Sequence, residues 1–225
     1  MSRNNLAIIL FILGAASFIQ SCAPSRVVRP FEKNQKAISA SLGGPLIGFA
    51  GTTIPMPLTS LSYAQGVTDN VTLFGGFHTT AMLYGVVQTD IGACVNVYHP
   101  DSSKFGISFN PVLNFAFDTW EGNKRIWPEI DINAYWEFKN KGSFMYIGAS
   151  NWFELSNNKA HDEKIEHRWL FNPHLGYTYS RKKWNYNIEM KYLLPYKETF
   201  PNVVDYRGIN GNGAVGLYFN FTRKF

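Results

Sequence analysis

Charge is scarce in this chain. Lys, Arg, Asp and Glu together make up 16% of its 225 residues, against about 25% in soluble domains. Cysteine is nearly absent, with only Cys22 and Cys94, which excludes a disulfide-built scaffold. The longest uncharged apolar run, Leu6 to Ile19, has 14 residues, and a helix crossing a bilayer needs about 20. No helical periodicity follows that run. A hydrolase elbow, a P-loop, H-E-x-x-H and a dinucleotide-binding fingerprint are all missing. The excess of 21 basic over 16 acidic residues is scattered, with Arg181-Lys182-Lys183 as its densest run. Nucleic-acid binding requires a clustered basic face, so nucleic acid is excluded as a partner. With 19 Gly and 11 Pro the chain is not of low complexity.

Aromatic residues are abundant at 16%, as 18 Phe, 12 Tyr and 6 Trp. Many lie in stretches of strict two-residue alternation, the period of a β-strand with two unlike faces. Ile107 to Phe117, Glu129 to Lys139, Trp184 to Leu194 and Val215 to Phe225 carry it without a break. Weaker strands are expected over Ala37 to Gly44, Thr59 to Gln65, Val71 to Thr80, Gly85 to Tyr98, Ser143 to Phe153 and Trp169 to Ser180, ten in all. FNPVLNFAF at Phe109 and FNPHLGYTY at Phe171 are alike; convergence of two strands under one constraint is the favoured reading, with duplication as the alternative. Alternation alone leaves open which face points inward. A soluble lipocalin-like barrel and a membrane barrel share the pattern.

Three features choose the membrane barrel. Short connections (Gly66 to Asn70, His99 to Lys104, Asn140 to Gly142, Arg181 to Lys183) alternate with long ones (Pro45 to Pro57, Asp118 to Pro128, Glu154 to Arg168, Pro195 to Asn212). A tight connection near Ala81 to Tyr84 is the exception. Aromatic residues mark both strand ends. Trp120, Trp127, Trp169, Tyr196 and Phe200 lie near the long loops; Tyr98, Phe105, Trp136, Phe138, Tyr177, Tyr179 and Trp184 lie near the short turns. Last, LYFNFTRKF closes the chain with Phe219, Phe221 and Phe225. It resembles the C-terminal signal of bacterial outer-membrane β-barrel proteins, which the barrel assembly machinery reads. The expected fold is an all-β, antiparallel up-and-down transmembrane barrel of ten strands, with eight as the alternative.

The N-terminus reads as an address. Leu6 to Ile19 has the length of a secretory h-region, and Ile19-Gln20-Ser21-Cys22 follows it. This resembles a bacterial lipoprotein signal, in which the Cys is acylated, although Gln20 stands where a small residue is usual. The expected organisation is a signal peptide over 1–21, lipidated Cys22 with a periplasmic tether over 22–36, and the barrel over 37–225. The tether carries Pro24 and Pro30 and four basic residues. The expected location is the outer membrane, with the lipid in its periplasmic leaflet.

Candidate chemistry is thin. The polar strand faces supply His78, Asp90, Glu129, Asp131, Glu137, Lys139, His174, Glu189 and Lys191 as a luminal network, since charges inside a barrel must pair. Cys94 falls on the same face, where His78 or His174 would be its base if it were a nucleophile; a small inert core residue is the plainer reading. His161, Asp162, Glu163, Glu166 and His167 cluster in a loop, at spacings that match no stereotyped metal site. No cofactor, metal or catalytic residue is expected. The expected function is a non-enzymatic envelope protein, structural or binding, with a largely filled lumen. A small passive channel and an enzyme acting on lipids or peptides are the alternatives. The expected partners are outer-membrane lipid, lipopolysaccharide, the barrel assembly machinery and an unidentified ligand of the long loops.

Overall fold

The computed structural model describes residues 24–100, 103–138, 142–156, 167–199 and 204–225. Cys22, Lys139, Phe200 and the loop positions 161–166 lie outside the described residues. The described residues form eleven strands: β1 (Lys36–Phe49), β2 (Thr52–Pro55), β3 (Thr59–Thr68), β4 (Val71–Phe77), β5 (Val86–Tyr98), β6 (Phe105–Asp118), β7 (Lys124–Glu137), β8 (Phe144–Phe153), β9 (Trp169–Ser180), β10 (Trp184–Glu198) and β11 (Asn212–Lys224). Among the described residues one short helix, α1 (Thr79–Leu83), joins β4 to β5. Ten strands, β1 and β3 through β11, pair antiparallel in chain order. β11 returns to β1, with Lys224 opposite Ala37 and Gly216 opposite Pro45, which closes the sheet into a barrel. Closure pairs the edges that an open sheet would leave bare. The eight-stranded alternative is excluded.

Alternation sets which face goes where. In β8, Phe144, Tyr146, Ser150 and Trp152 are buried inside, while Met145 and Ile147 are 49% and 55% exposed outside. In β9, Asn172, His174 and Thr178 point inward and Leu175 and Tyr177 outward. The outer surface repeats this around the barrel with Ile38, Leu61, Leu73, Ile91, Ile132, Ile188 and Phe221. The polarity is therefore inverted relative to a soluble barrel: an apolar exterior encloses a polar core. Large inward side chains need room on the neighbouring strand. Tyr135 and Tyr146 lie over Gly106 and Gly176, where any Cβ would overlap their rings.

The structure departs from the sequence reading in several places. Val71 to Thr80 is not one strand. β4 stops at Phe77, and Thr79 to Leu83 coil into α1 where a tight turn was expected. Paired Gly75-Gly76 and the absence of alternation beyond Phe77 leave nothing to extend the strand. Two of the long loops are largely strand. β1 continues past Pro45 and folds back as β2, pairing Leu46 with Pro55 and Phe49 with Thr52. β6 and β7 stay paired up to Phe117 and Lys124, which leaves residues 119–123 as the connection. Trp127 is not part of the outer aromatic belt. Its two-residue register with Glu129 and Asp131 turns it inward, where it is 6% exposed. Trp120, Trp169 and Tyr196 at one end, and Tyr98, Trp136, Phe138, Tyr177 and Trp184 at the other, do face outward.

The largest departure is at the N-terminus. Residues 24–31 do not hang below the barrel as a tether but lie in the lumen, entered from the short-turn end, and residues 32–35 join them to β1. The entry is fixed by four backbone bonds: Lys33 N–H to Asp69 Oδ1 at 2.9 Å, Phe31 N–H to Thr72 Oγ1 at 2.8 Å, Asn34 N–H to the Gly66 carbonyl at 2.8 Å, and Gly66 N–H to the Gln35 carbonyl at 2.9 Å. Asn34 takes a positive φ of 65° in the turn between this segment and β1, a conformation asparagine tolerates.

Candidate functional site

The lumen is the candidate site, and its centre is residues 24–31, which form a plug. Barrel side chains hold the plug backbone. Ser108 Oγ donates to the Val28 carbonyl at 2.6 Å, and Asn110 Nδ2 donates to the Val27 carbonyl at 2.8 Å. Ser25 N–H donates to both Glu189 oxygens at 3.2 and 3.3 Å. Val27 packs on Ala64, Phe74 and Cys94, and Val28 on Tyr135, Phe144 and Tyr146. These bonds satisfy backbone groups that an irregular segment would otherwise bury unpaired.

Its two arginines meet carboxylates. Arg26 forms a fork with Asp90, Nε to Oδ1 at 3.2 Å and Nη2 to Oδ2 at 2.5 Å, while Nη1 donates to Ser60 Oγ at 2.5 Å. His78 Nε2 lies 3.0 Å from the same Asp90 oxygen. Arg29 pairs with Glu137 at 2.9 Å nearer the short-turn mouth, and sits over the Phe144 ring.

The luminal residues expected from the sequence divide into groups. His78 and Asp90 belong to the Arg26 cluster, and Glu137 to the Arg29 pair. Glu189 accepts from Tyr146 Oη at 2.7 Å and lies 3.5 Å from Lys191 Nζ. Glu129 accepts from Ser150 Oγ at 2.5 Å and from Asn114 Nδ2 at 3.3 Å. His174 Nε2 bonds Asn133 Oδ1 at 2.7 Å and lies 3.5 Å from Asp131. Cys94 is fully buried, in a cluster with Val27, Ala64 and Phe74 and hydrogen-bonded to the Ser108 side chain, with no imidazole among these neighbours. Among the described residues no group of His, Cys, Asp and Glu is arranged to hold a metal ion.

Sequence reasoning missed Ser25, Arg26 and Arg29, and the supporting Ser60 and Tyr146, while the alternation of β7 places Tyr135 on the inner face. One signal was available. The five carboxylates of the inner face outnumber its lysines, and the segment before β1 carries the opposite charge.

Beside the plug lies a small open space. A cavity of about 30 Å³ is lined by Pro24, Ser25, Arg26, Asp90, Asn114 and Glu129, among others. That is room for one or two water molecules.

A closed antiparallel barrel with an apolar outer band, aromatic belts at both ends and a polar, filled interior is a transmembrane barrel of the bacterial outer-membrane type. No protein-family model matches the chain, and no curated protein matches it. Solved structures similar to it are outer-membrane barrels. An outer-membrane channel from Pseudomonas putida F1 is 9% identical with a TM-score of 0.48, covering 90% of this chain and 99% of that one. The translocator domain of the autotransporter NalP from Neisseria meningitidis is 9% identical with a TM-score of 0.42, covering 98% and 96%. The outer-membrane protease OmpT from Escherichia coli is 9% identical with a TM-score of 0.38, covering 89% and 98%.

Proposed function

We propose that this chain is a non-enzymatic protein of the bacterial outer membrane, closed by its own N-terminal segment, that presents its long-loop rim as a structural or binding surface. The observation that supports this is the seated plug. Ten strands enclose a narrow interior, and the plug fills it while its two arginines offset the acidic inner face. Planar-bilayer recording tests the reading. Protein refolded from residue 22 onward, carrying Cys22→Ser to keep it unacylated, should show no steps of porin size. Stable large steps would overturn it.

The anchor is the second part of the proposal: Cys22 is acylated and the lipid lies in the periplasmic leaflet. Chain reach limits how the two parts combine. Two residues span at most about 7 Å, and Pro24 sits beside mid-strand residues of a wall that crosses about 30 Å of hydrocarbon. An acyl chain in the leaflet therefore requires residues 24–31 to be drawn out of the lumen. The seated plug and the inserted anchor are two states of one chain. Mass spectrometry of the N-terminal peptide from membranes tests acylation: a free, unmodified residue 22 or 23 at the N-terminus would refute it.

A further inference from the structure

The seat of Arg26 is fitted to a guanidinium on several sides. Its guanidinium meets a carboxylate in the two-point fork that this planar group makes and an ammonium cannot. Nη1 has its own acceptor in Ser60, whose hydroxyl is braced by Ser41. Nη2 lies 3.2 Å from His78 Nε2. Gly76 supplies the floor: a Cβ there would come to 2.8 Å from Nη2 and 2.9 Å from Cζ. Arg26 and Asp90 side chains are 6% and 3% exposed. Asp90, Ser60, Ser41, His78 and Gly76 come from the barrel wall or its rim, not from the plug. The recognition elements therefore stay in place when the plug leaves. One side of the seat also borders the 30 Å³ cavity, where Pro24 and Asn114 complete the lining.

We propose that Asp90, Ser60, His78 and Gly76 form a guanidinium-recognition site in the barrel wall, occupied by Arg26 in the closed state and open to a small guanidinium compound when residues 24–31 withdraw. Ligand and plug then compete for one seat. Binding in trans favours the open lumen by the ligand's affinity for the vacated site, since it cannot bind the filled one. The open lumen is acidic, because Arg26 and Arg29 leave together while Asp90, Glu129, Asp131, Glu137 and Glu189 remain with Lys191 as a cation among them. The seat rests on the position of Arg26, and its opening rests on the withdrawal of residues 24–31 that the proposed anchor requires.

The test is chemical rescue. Arg26→Ala removes the atoms of one ethylguanidinium ion and leaves the other plug contacts intact. Calorimetry on the refolded Arg26→Ala barrel should show ethylguanidinium binding at least tenfold more tightly than ethylammonium. Asp90→Asn or Gly76→Ala added to it should abolish that preference. Equal affinities for the two cations, or a preference that survives Asp90→Asn, would overturn the proposal and leave generic counter-ion attraction to an acidic lumen. A second measurement needs no variant of Arg26. In the wild-type barrel, ethylguanidinium should raise the rate at which Cys94 reacts with a maleimide, because Val27, packed in the same cluster as that residue, leaves with the plug. Ethylammonium at the same concentration should not, and an equal effect of both cations would also refute the site.

Discussion

Ile91 offers the sharpest test of inverted polarity. It lies near the middle of β5, opposite Gly75 on β4 and Leu113 on β6, and is 60% exposed on the outer surface. Its neighbour Asp90 faces the lumen. In water, an exposed isoleucine tolerates arginine, with a change within about 0.5 kcal/mol. At the midplane of a bilayer the same replacement sets a cation in hydrocarbon and costs about 2–4 kcal/mol. That corresponds to a loss of roughly 30- to 1000-fold in the folding equilibrium constant, at about 1.4 kcal/mol per factor of ten. Reversible denaturant unfolding from phospholipid vesicles reads it directly. Ile91→Arg should lower stability by that amount, and Val97→Lys, beside Tyr98 at the short-turn interface, should cost under about 1 kcal/mol. A cost below about 0.5 kcal/mol for Ile91→Arg in vesicles would refute a lipid-facing exterior.

Other expectations concern the interior and the chain end. Gly176→Val should destabilise the barrel by about 1–3 kcal/mol in the same unfolding assay, because its side chain overlaps Tyr146, which is bonded to Glu189. Asp90→Asn strips the Arg26 guanidinium of its ion pair. The lost stability is limited by release of the plug, so the clearest signal should be at least a tenfold faster maleimide labelling of Cys94. Phe225 is 63% exposed, so Phe225→Ala should leave unfolding in vitro within about 0.5 kcal/mol while lowering the amount of assembled barrel in cells. Equal losses in both measurements would count against an assembly signal.

The strands were legible because a closed barrel with unlike faces writes its period into every segment. Ile130, Ile132 and Ala134 against Asp131 and Asn133 are enough to place β7 and its lumen side. Trp127 belongs to the same inward register, but nearness to a long loop suggested the belt; position along the strand and side of the strand are separate quantities. The hairpin of β1 and β2 was hidden because Pro45 and Gly51 read as loop residues, although Leu46 to Phe49 pair beyond them. The plug was not legible by pattern at all. Ser25 to Phe31 has neither period 2 nor period 3.6, because it is an irregular segment whose hydrogen bonds are made to Ser108, Asn110 and Glu189, residues far away in sequence. Charge was its only trace. Arg26 and Arg29 meet Asp90 and Glu137, partners distant in the chain, and a chain with so few charges rarely leaves carboxylates on an inner face without cations nearby.

Cross-linking of the plug to the wall measures the central claim most directly. Val27 and Cys94 belong to one packed cluster inside the lumen. A Val27→Cys variant, with Cys22→Ser to remove the competing thiol, carries a second cysteine against Cys94. In the folded barrel a short bis-methanethiosulfonate reagent should join positions 27 and 94 in most molecules, as a linked peptide pair seen by mass spectrometry. The same treatment of urea-unfolded protein should not favour that pair. Rapid labelling of the introduced thiol at position 27 by a bulky, membrane-impermeant maleimide, with no link between positions 27 and 94, would contradict a lumen closed by its own N-terminal segment.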